Sequence, residues 1–346
     1  MTENEVRVSV LMSVYNGEEF LPSAIMSILN QEGVEFELIV TNDGSTDRSG
    51  MIVDHFARLD PRVRVIHQEN RGIPFSANHM LSLSRGEFVA RLDADDIAYP
   101  GRLAQQVAYL TARPEVGLVG TWTNYVMADG ESIVVVCLPD DDGVIKHSLN
   151  GGINPFVHSS VMFRRELLLQ LGLTYRFLSS QDYDLWLCLV PHTRFGMVES
   201  VLTAYRSHSA NMSKHKLDQR MKIRQLITTL HRKRQAGQPE GDWEAQLNEI
   251  LATDIPAQDK KSRDFGSFTI AQRMYSLMRS TILRNKKLKV FVIRLLRLLP
   301  IPMYQWVFSH ITPVGVHYRP IQRVANVKDL QRTCRDLHNF TPADLS

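Results

Sequence analysis

The run VRVSVLMSV, residues 6–14, constrains the fold more than any other stretch of the chain. It is apolar and β-branched almost throughout, as a strand must be when its sheet is covered on both faces. Strands of that kind are joined by crossover helices, and EEFLPSAIMSILNQ, residues 18–31, supplies one. Phe20, Leu21, Ala24, Ile25, Ile28 and Leu29 recur on one helical face, with acids in the first turn. FELIVTND reads as a second strand, and Gly44-Ser45-Thr46-Asp47 as the turn and cap of a helix through Ile52 and Phe56. VRVIHQ is a third strand, residues 76–84 a short helix and residues 87–92 a fourth strand. Strand and helix by turns predict an α/β fold with parallel strands, right-handed crossovers and ligands beyond the carboxyl ends of the strands.

Residues 116–127 and 131–139 flank Ala128-Asp129-Gly130, a hairpin signal that makes the sheet mixed. Residues 156–163, 194–199 and 201–206 are further strand candidates, with a helix through residues 183–189. Beyond Ser213 the texture is helical only, at residues 221–235 and 268–284. A boundary near residues 209–216 is therefore expected, dividing a ligand-binding domain of residues 1–213 from an all-helical C-terminal region of residues 214–346.

Charge divides the same way. Residues 1–214 hold 17 Lys+Arg against 26 Asp+Glu, whereas residues 215–346 hold 23 against 11. The acidic part suits a metal or a polyol and disfavours nucleic acid; the basic part suits an anionic surface. Cys137, Cys188 and Cys334 have neither paired nor metal-type spacing, so a reducing, cytoplasmic setting is expected. No basic start followed by an apolar run and no eighteen consecutive apolar residues are present, so neither a signal peptide nor a spanning helix is expected.

Polar clusters follow three strands: Tyr15-Asn16-Gly17, Asn42-Asp43-Gly44-Ser45 and Asp93-Ala94-Asp95-Asp96. Turns attract such residues for local reasons, but three clusters at one sheet edge favour a ligand site. If extended geometry persists, Asp93 and Asp95 point to one side and can share a hard divalent cation bridged to phosphate; the competing reading is an acidic turn before the helix near Arg102. Asp182, in QDYDLWL, is either an N-terminal cap or a general base for a hydroxyl nucleophile.

Together, VSVLMSVYNGEEFLPSAIMSILNQ, ELIVTNDGSTDRS, NRGIPFSANHMLSLSRGEFVARLDADD, NPFVHSSVMFRR and QDYDLWL resemble glycosyltransferase family 2, the inverting enzymes with the GT-A fold. The likeness covers residues 6–210. It implies a Rossmann-like, mainly parallel central sheet with flanking helices, and a nucleotide diphosphate sugar as donor. It also implies Asp43 at the nucleotide base, Asp93 near the ribose and diphosphate, Asp95 on Mn²⁺ or Mg²⁺, and Asp182 as catalytic base. Gln181 stands where the family usually has Glu, Ala77 where Arg is frequent, and Ser13 where Pro is frequent.

Weaker candidates remain two-sided. His208 is a metal ligand from a loop or an ordinary surface histidine; His158, with Asn154, lines the acceptor side or belongs to a core strand; Tyr15 borders the base or is a buried aromatic. The segment KLKVFVIRLLRLLPIPMYQWVF, residues 287–308, alternates basic with apolar residues. It either lies on an anionic membrane surface, at the inner face of the cytoplasmic membrane where a lipid-linked saccharide acceptor would be found, or packs with its basic edge solvated. A non-catalytic nucleotide-sugar-binding protein and a metal-dependent phosphatase are the competing functions, and the second normally carries its paired aspartates after the first strand.

Overall fold

The computed structural model describes residues 6–208 and 217–252 and the backbone of His317–Arg319. The chain begins β1 (Val8–Val14), α1 (Leu21–Leu29), β2 (Phe36–Asp43), α2 (Ser49–Leu59), β3 (Val63–Gln68), α3 (Ile73–Leu83) and β4 (Phe88–Arg91). As the apolar runs require, β1 pairs in parallel with both β2 and β4, and β2 with β3. Alternate residues of β1 enter opposite cores: Leu11 joins the cluster containing Met80 and Trp186, while Val10 and Met12 join that of Ile25 and Phe56.

Next come β5 (Ile97–Ala98), α4 (Arg102–Ala112), β6 (Val116–Met127), β7 (Ser132–Cys137) and α5 (Asp142–Asn150). A 3₁₀ turn, His158–Ser160, precedes β8 (Met162–Arg164), α6 (Arg165–Gln170), α7 (Gln181–Leu189) and β9 (Arg194–Ser207). With β10 (His317–Arg319) at one edge, the sheet order is β10-β7-β6-β8-β4-β1-β2-β3, with β9 beside β6 and β5 beside β9. β6 and β7 form the expected antiparallel hairpin, so the sheet is mixed.

Two strand expectations change. Residues 156–163 do not form one strand: Ser160 N and Oγ both bond to the Val157 carbonyl (2.8 and 2.7 Å), closing a local turn that competes with the ladder. Residues 194–199 and 201–206 form one long strand, whose register along β6 slips around Trp122 and absorbs the intervening residues.

Further along the chain lie α8 (Leu217–Gln235) and α9 (Trp243–Ala252). Ile223, Leu226, Ile227, Leu230 and Leu247 enter the same apolar cluster as Trp186 and Phe163. The boundary expected at residues 209–216, the helix at 268–284 and the basic segment at 287–308 lie outside the described residues. β10 (His317–Arg319) pairs antiparallel with β7, so the region expected to be helical also contributes an edge strand. Among the described residues no helix is long and apolar enough to cross a membrane.

Candidate active site

The loops after β1, β2 and β4 leave one edge of the sheet, and short polar side chains lock the first two together. Asn16 adopts a left-handed conformation, φ 50°. Its backbone N donates to Ser45 Oγ (3.0 Å), and its Oδ1 accepts from Thr46 N (2.8 Å). Gly17 N donates to Ser49 Oγ and Glu18 N to Asp47 Oδ2, each at 3.0 Å. Tyr15 projects from this frame at 54% exposure, so it is not a buried aromatic.

Asp43 is buried. It accepts from Gln68 Nε2 (2.7 Å), Arg71 N (2.9 Å) and Gly72 N (2.9 Å). Since a carboxylate offers about four acceptor positions, this one organises the loop before α3 and keeps little capacity for anything else.

The acidic cluster after β4 is not an extended strand. Asp96 N donates to the Asp93 carbonyl (3.1 Å), closing a turn, and the three carboxylates meet different partners. The extended geometry on which a shared side for Asp93 and Asp95 depended is not kept. Asp93 Oδ1 accepts from Arg91 Nη2 at 3.2 Å. Asp95 Oδ2 lies 2.8 Å from His208 Nε2. Asp96 turns inward to Ser159 Oγ and to Arg206 N (2.8 Å). Burial, with the charges of Asp95 and Asp93, pushes the Asp96 carboxyl well above its ordinary range.

His208 is held from several directions. Its ring lies 4.8 Å from that of Phe20, over which the Arg206 guanidinium sits at 4.7 Å. Arg206 Nε donates to the Asp95 carbonyl and Nη1 to the Ala128 carbonyl, both at 2.8 Å. Among the described residues no three His, Cys, Asp or Glu side chains form a metal cage; Asp95 and His208 form a convergent pair of metal-type donors.

The second acidic motif opens α7. Ser180, left-handed at φ 56°, precedes the first turn, where Asp182 Oδ2 accepts from Asn154 Nδ2 at 2.7 Å. Asp184, two residues on, is fully buried and receives Arg176 Nε and Nη2 at 2.8 Å each, so it is a structural anchor. Asp182 remains partly open, with the half-buried Arg220 of α8 within its field.

Beneath these groups lies a buried polar pair, His158 Nε2 and Tyr175 Oη, 3.1 Å apart. Asn78 grips the Tyr175 main chain in both directions, Nδ2 donating to its O (2.8 Å) and Oδ1 accepting from its N (2.9 Å). Burial and then the Arg91 charge hold His158 below its ordinary value, against the pull of Asp93 and Asp182. Burial raises the Tyr175 hydroxyl, where the same three charges act. His158, which on sequence alone lines the acceptor side or belongs to a core strand, lies in the 3₁₀ turn with its ring against those of Tyr175 and Trp186.

Arg91, Tyr175 and Arg206 are candidate site residues that sequence reasoning misses. Only Arg91 leaves a trace, as a charge closing an apolar strand beside an acidic turn.

Residues 9–172 match the model described as Glycosyl transferase family 2. The chain is 31% identical over 215 residues to the O-antigen biosynthesis glycosyltransferase WbnJ of Escherichia coli, spanning 61% of this chain and 83% of that one. It is 31% identical over 206 residues to an uncharacterized glycosyltransferase of Methanocaldococcus jannaschii, spanning 58% and 70%. Among solved structures, S. aureus TarS in complex with UDP-GlcNAc aligns with a TM-score of 0.57 at 18% identity, over 71% of this chain and 72% of that one. This is a likeness of fold, and it agrees with the expected GT-A architecture.

Proposed function

The chain belongs to glycosyltransferase family 2, and we propose that it moves a sugar, with inversion, from a nucleotide diphosphate sugar to an acceptor hydroxyl. What supports this reading is that Asp93, after β4, and Asp182, from the start of α7, are tied to one short segment: Asp93 N donates to Ser159 Oγ (3.0 Å) and Asp182 Oδ2 accepts from Asn154 Nδ2 (2.7 Å). In this reading a donor-side carboxylate and a candidate base stand on either side of that segment. Asn154 holds Asp182 Oδ2, leaving Oδ1 to take the proton of the acceptor hydroxyl as its oxygen attacks the anomeric carbon. The bond from that carbon to the diphosphate oxygen breaks, and its electron pair leaves with the nucleoside diphosphate.

Tyr15 and Asp43 border the nucleotide in this reading, and Asp93 accepts a hydrogen bond from a donor hydroxyl. The family implies Mn²⁺ or Mg²⁺, and the residues fit: a carboxylate and an imidazole already converge at Asp95 and His208. These two would hold the ion, donor and water oxygens completing its shell; when bound it offsets negative charge on the departing diphosphate. The O-antigen role in the name of the Escherichia coli relative supports a surface polysaccharide or glycolipid as the product. The basic, apolar segment at residues 287–308 would bring the enzyme to an anionic membrane surface carrying a lipid-linked acceptor.

A thermal-shift screen of UDP-, GDP- and dTDP-sugars with Mn²⁺, followed by a release assay, tests the reading. Nucleoside diphosphate released only when acceptor is supplied supports transfer. Inorganic phosphate as product would indicate a phosphatase, and binding without any release a non-catalytic protein.

A further inference from the structure

The side chain of Arg91, the last residue of β4, is fully buried. A guanidinium carries five N–H donors and keeps its charge at neutral pH, so burying it is costly unless the charge is paired and the donors are met. Here Nη2 reaches Asp93 Oδ1 at 3.2 Å, while Nε and Nη1 have no partner among the described residues. An apolar side chain of similar length would fill such a core position at least as stably. The reason for a cation therefore lies in what it touches.

It touches Asp93. The main chain of Asp93 is fixed independently, its N donating to Ser159 Oγ (3.0 Å) and its carbonyl accepting from Asp96 N (3.1 Å). Its carboxylate, 37% exposed, has Arg91 as its side-chain partner among the described residues. The turn sets where the Asp93 backbone lies, and Arg91 sets where the carboxylate points. Arg91 N also donates to the Val161 carbonyl (3.1 Å), just past the His158–Ser160 turn.

We infer that Arg91 is a positioning residue that aims the Asp93 carboxylate at a hydroxyl of the sugar-nucleotide donor, at the expense of stability in β4. The inference rests on the transferase reading above. The test uses the full chain with the nucleotide sugar of highest wild-type turnover, and compares Arg91→Met, Arg91→Lys and Asp182→Asn. Arg91→Met is expected to melt at or above the wild-type temperature, with donor KM raised about 10- to 100-fold, the range of one charge-assisted hydrogen bond, and kcat less affected. Because a single contact is replaced, not a two-pronged one, Arg91→Lys is expected to restore most of the KM.

A wild-type KM in Arg91→Met overturns the inference, and so does a fall in melting temperature that accounts for the lost activity without rescue by Lys. Asp182→Asn keeps the two ideas apart. If it loses kcat while Arg91→Met keeps a normal KM, only the role of Arg91 fails; if Asp182→Asn turns over normally, the transferase reading of the site fails first.

Discussion

His208 Nε2 stands 2.8 Å from Asp95 Oδ2, joining the end of β9 to the acidic turn after β4. The two donor atoms face each other, and a divalent ion would replace this hydrogen bond by coordination from both. His208→Ala is therefore expected to weaken Mn²⁺ binding about 10-fold or more in the presence of UDP, with Asp95→Ala weaker still. Manganese titration followed by electron paramagnetic resonance measures this independently of turnover.

Gly44, in the NDGS motif, has φ +75°, and a Cβ there would lie 2.6 Å from the backbone N of Asn70. Neither strain can be relieved by moving a side chain. Gly44→Ala is expected to cost about 1–3 kcal/mol. At Gly17 the near atom is a Val14 side-chain methyl at 2.9 Å, so Gly17→Ala is expected to cost less. Urea denaturation of both variants checks the order.

Glu37 is buried in β2, where it accepts from Ser9 Oγ (2.7 Å), Arg64 Nη1 (2.6 Å), Arg85 N (2.9 Å) and Arg85 Nε (3.0 Å). Burial alone would raise its carboxyl, but these bonds outweigh burial and hold it below the ordinary range. A depressed folded value means that the stabilisation is complete above an unfolded pKa of about 4.3 and is lost as pH falls through the folded value. Glu37→Gln is expected to cost about 1–3 kcal/mol at pH 7. The gap to wild type should close progressively below about pH 4, as chemical denaturation across pH will record.

Ile227 and Leu230 of α8 are fully buried in the cluster that holds Trp186 and Phe163. Ile227→Ala is expected to destabilise the whole α/β unit by about 2–5 kcal/mol. A single cooperative transition shifted to lower denaturant is the expected record; loss of a separate helical transition alone would show α8 to be independent.

Much of this architecture is legible because two signals are local. Apolar runs mark β1 to β4, polar residues at the ends of β2 and β4 mark Asp43 and Asp93, and the acidic start of α7 marks Asp182. What the sequence hides depends on distant partners. Nothing near Asn78 announces that it clamps Tyr175, and nothing near Arg206 announces the Asp95 carbonyl. The direction of each carboxylate is also hidden, because a tight turn rather than a strand follows Leu92, so that Asp93, Asp95 and Asp96 meet Arg91, His208 and Ser159 respectively. β10 pairs through its backbone with β7, an interaction that side-chain periodicity does not encode.

The most direct measurement is transfer and donor affinity in Asp182→Asn, which keeps the side chain's shape and removes its proton-accepting charge. Turnover with the screened donor and acceptor should fall about 10²- to 10⁴-fold, while calorimetric affinity for the nucleotide sugar with Mn²⁺ stays at the wild-type value. Wild-type turnover in this variant would contradict the account.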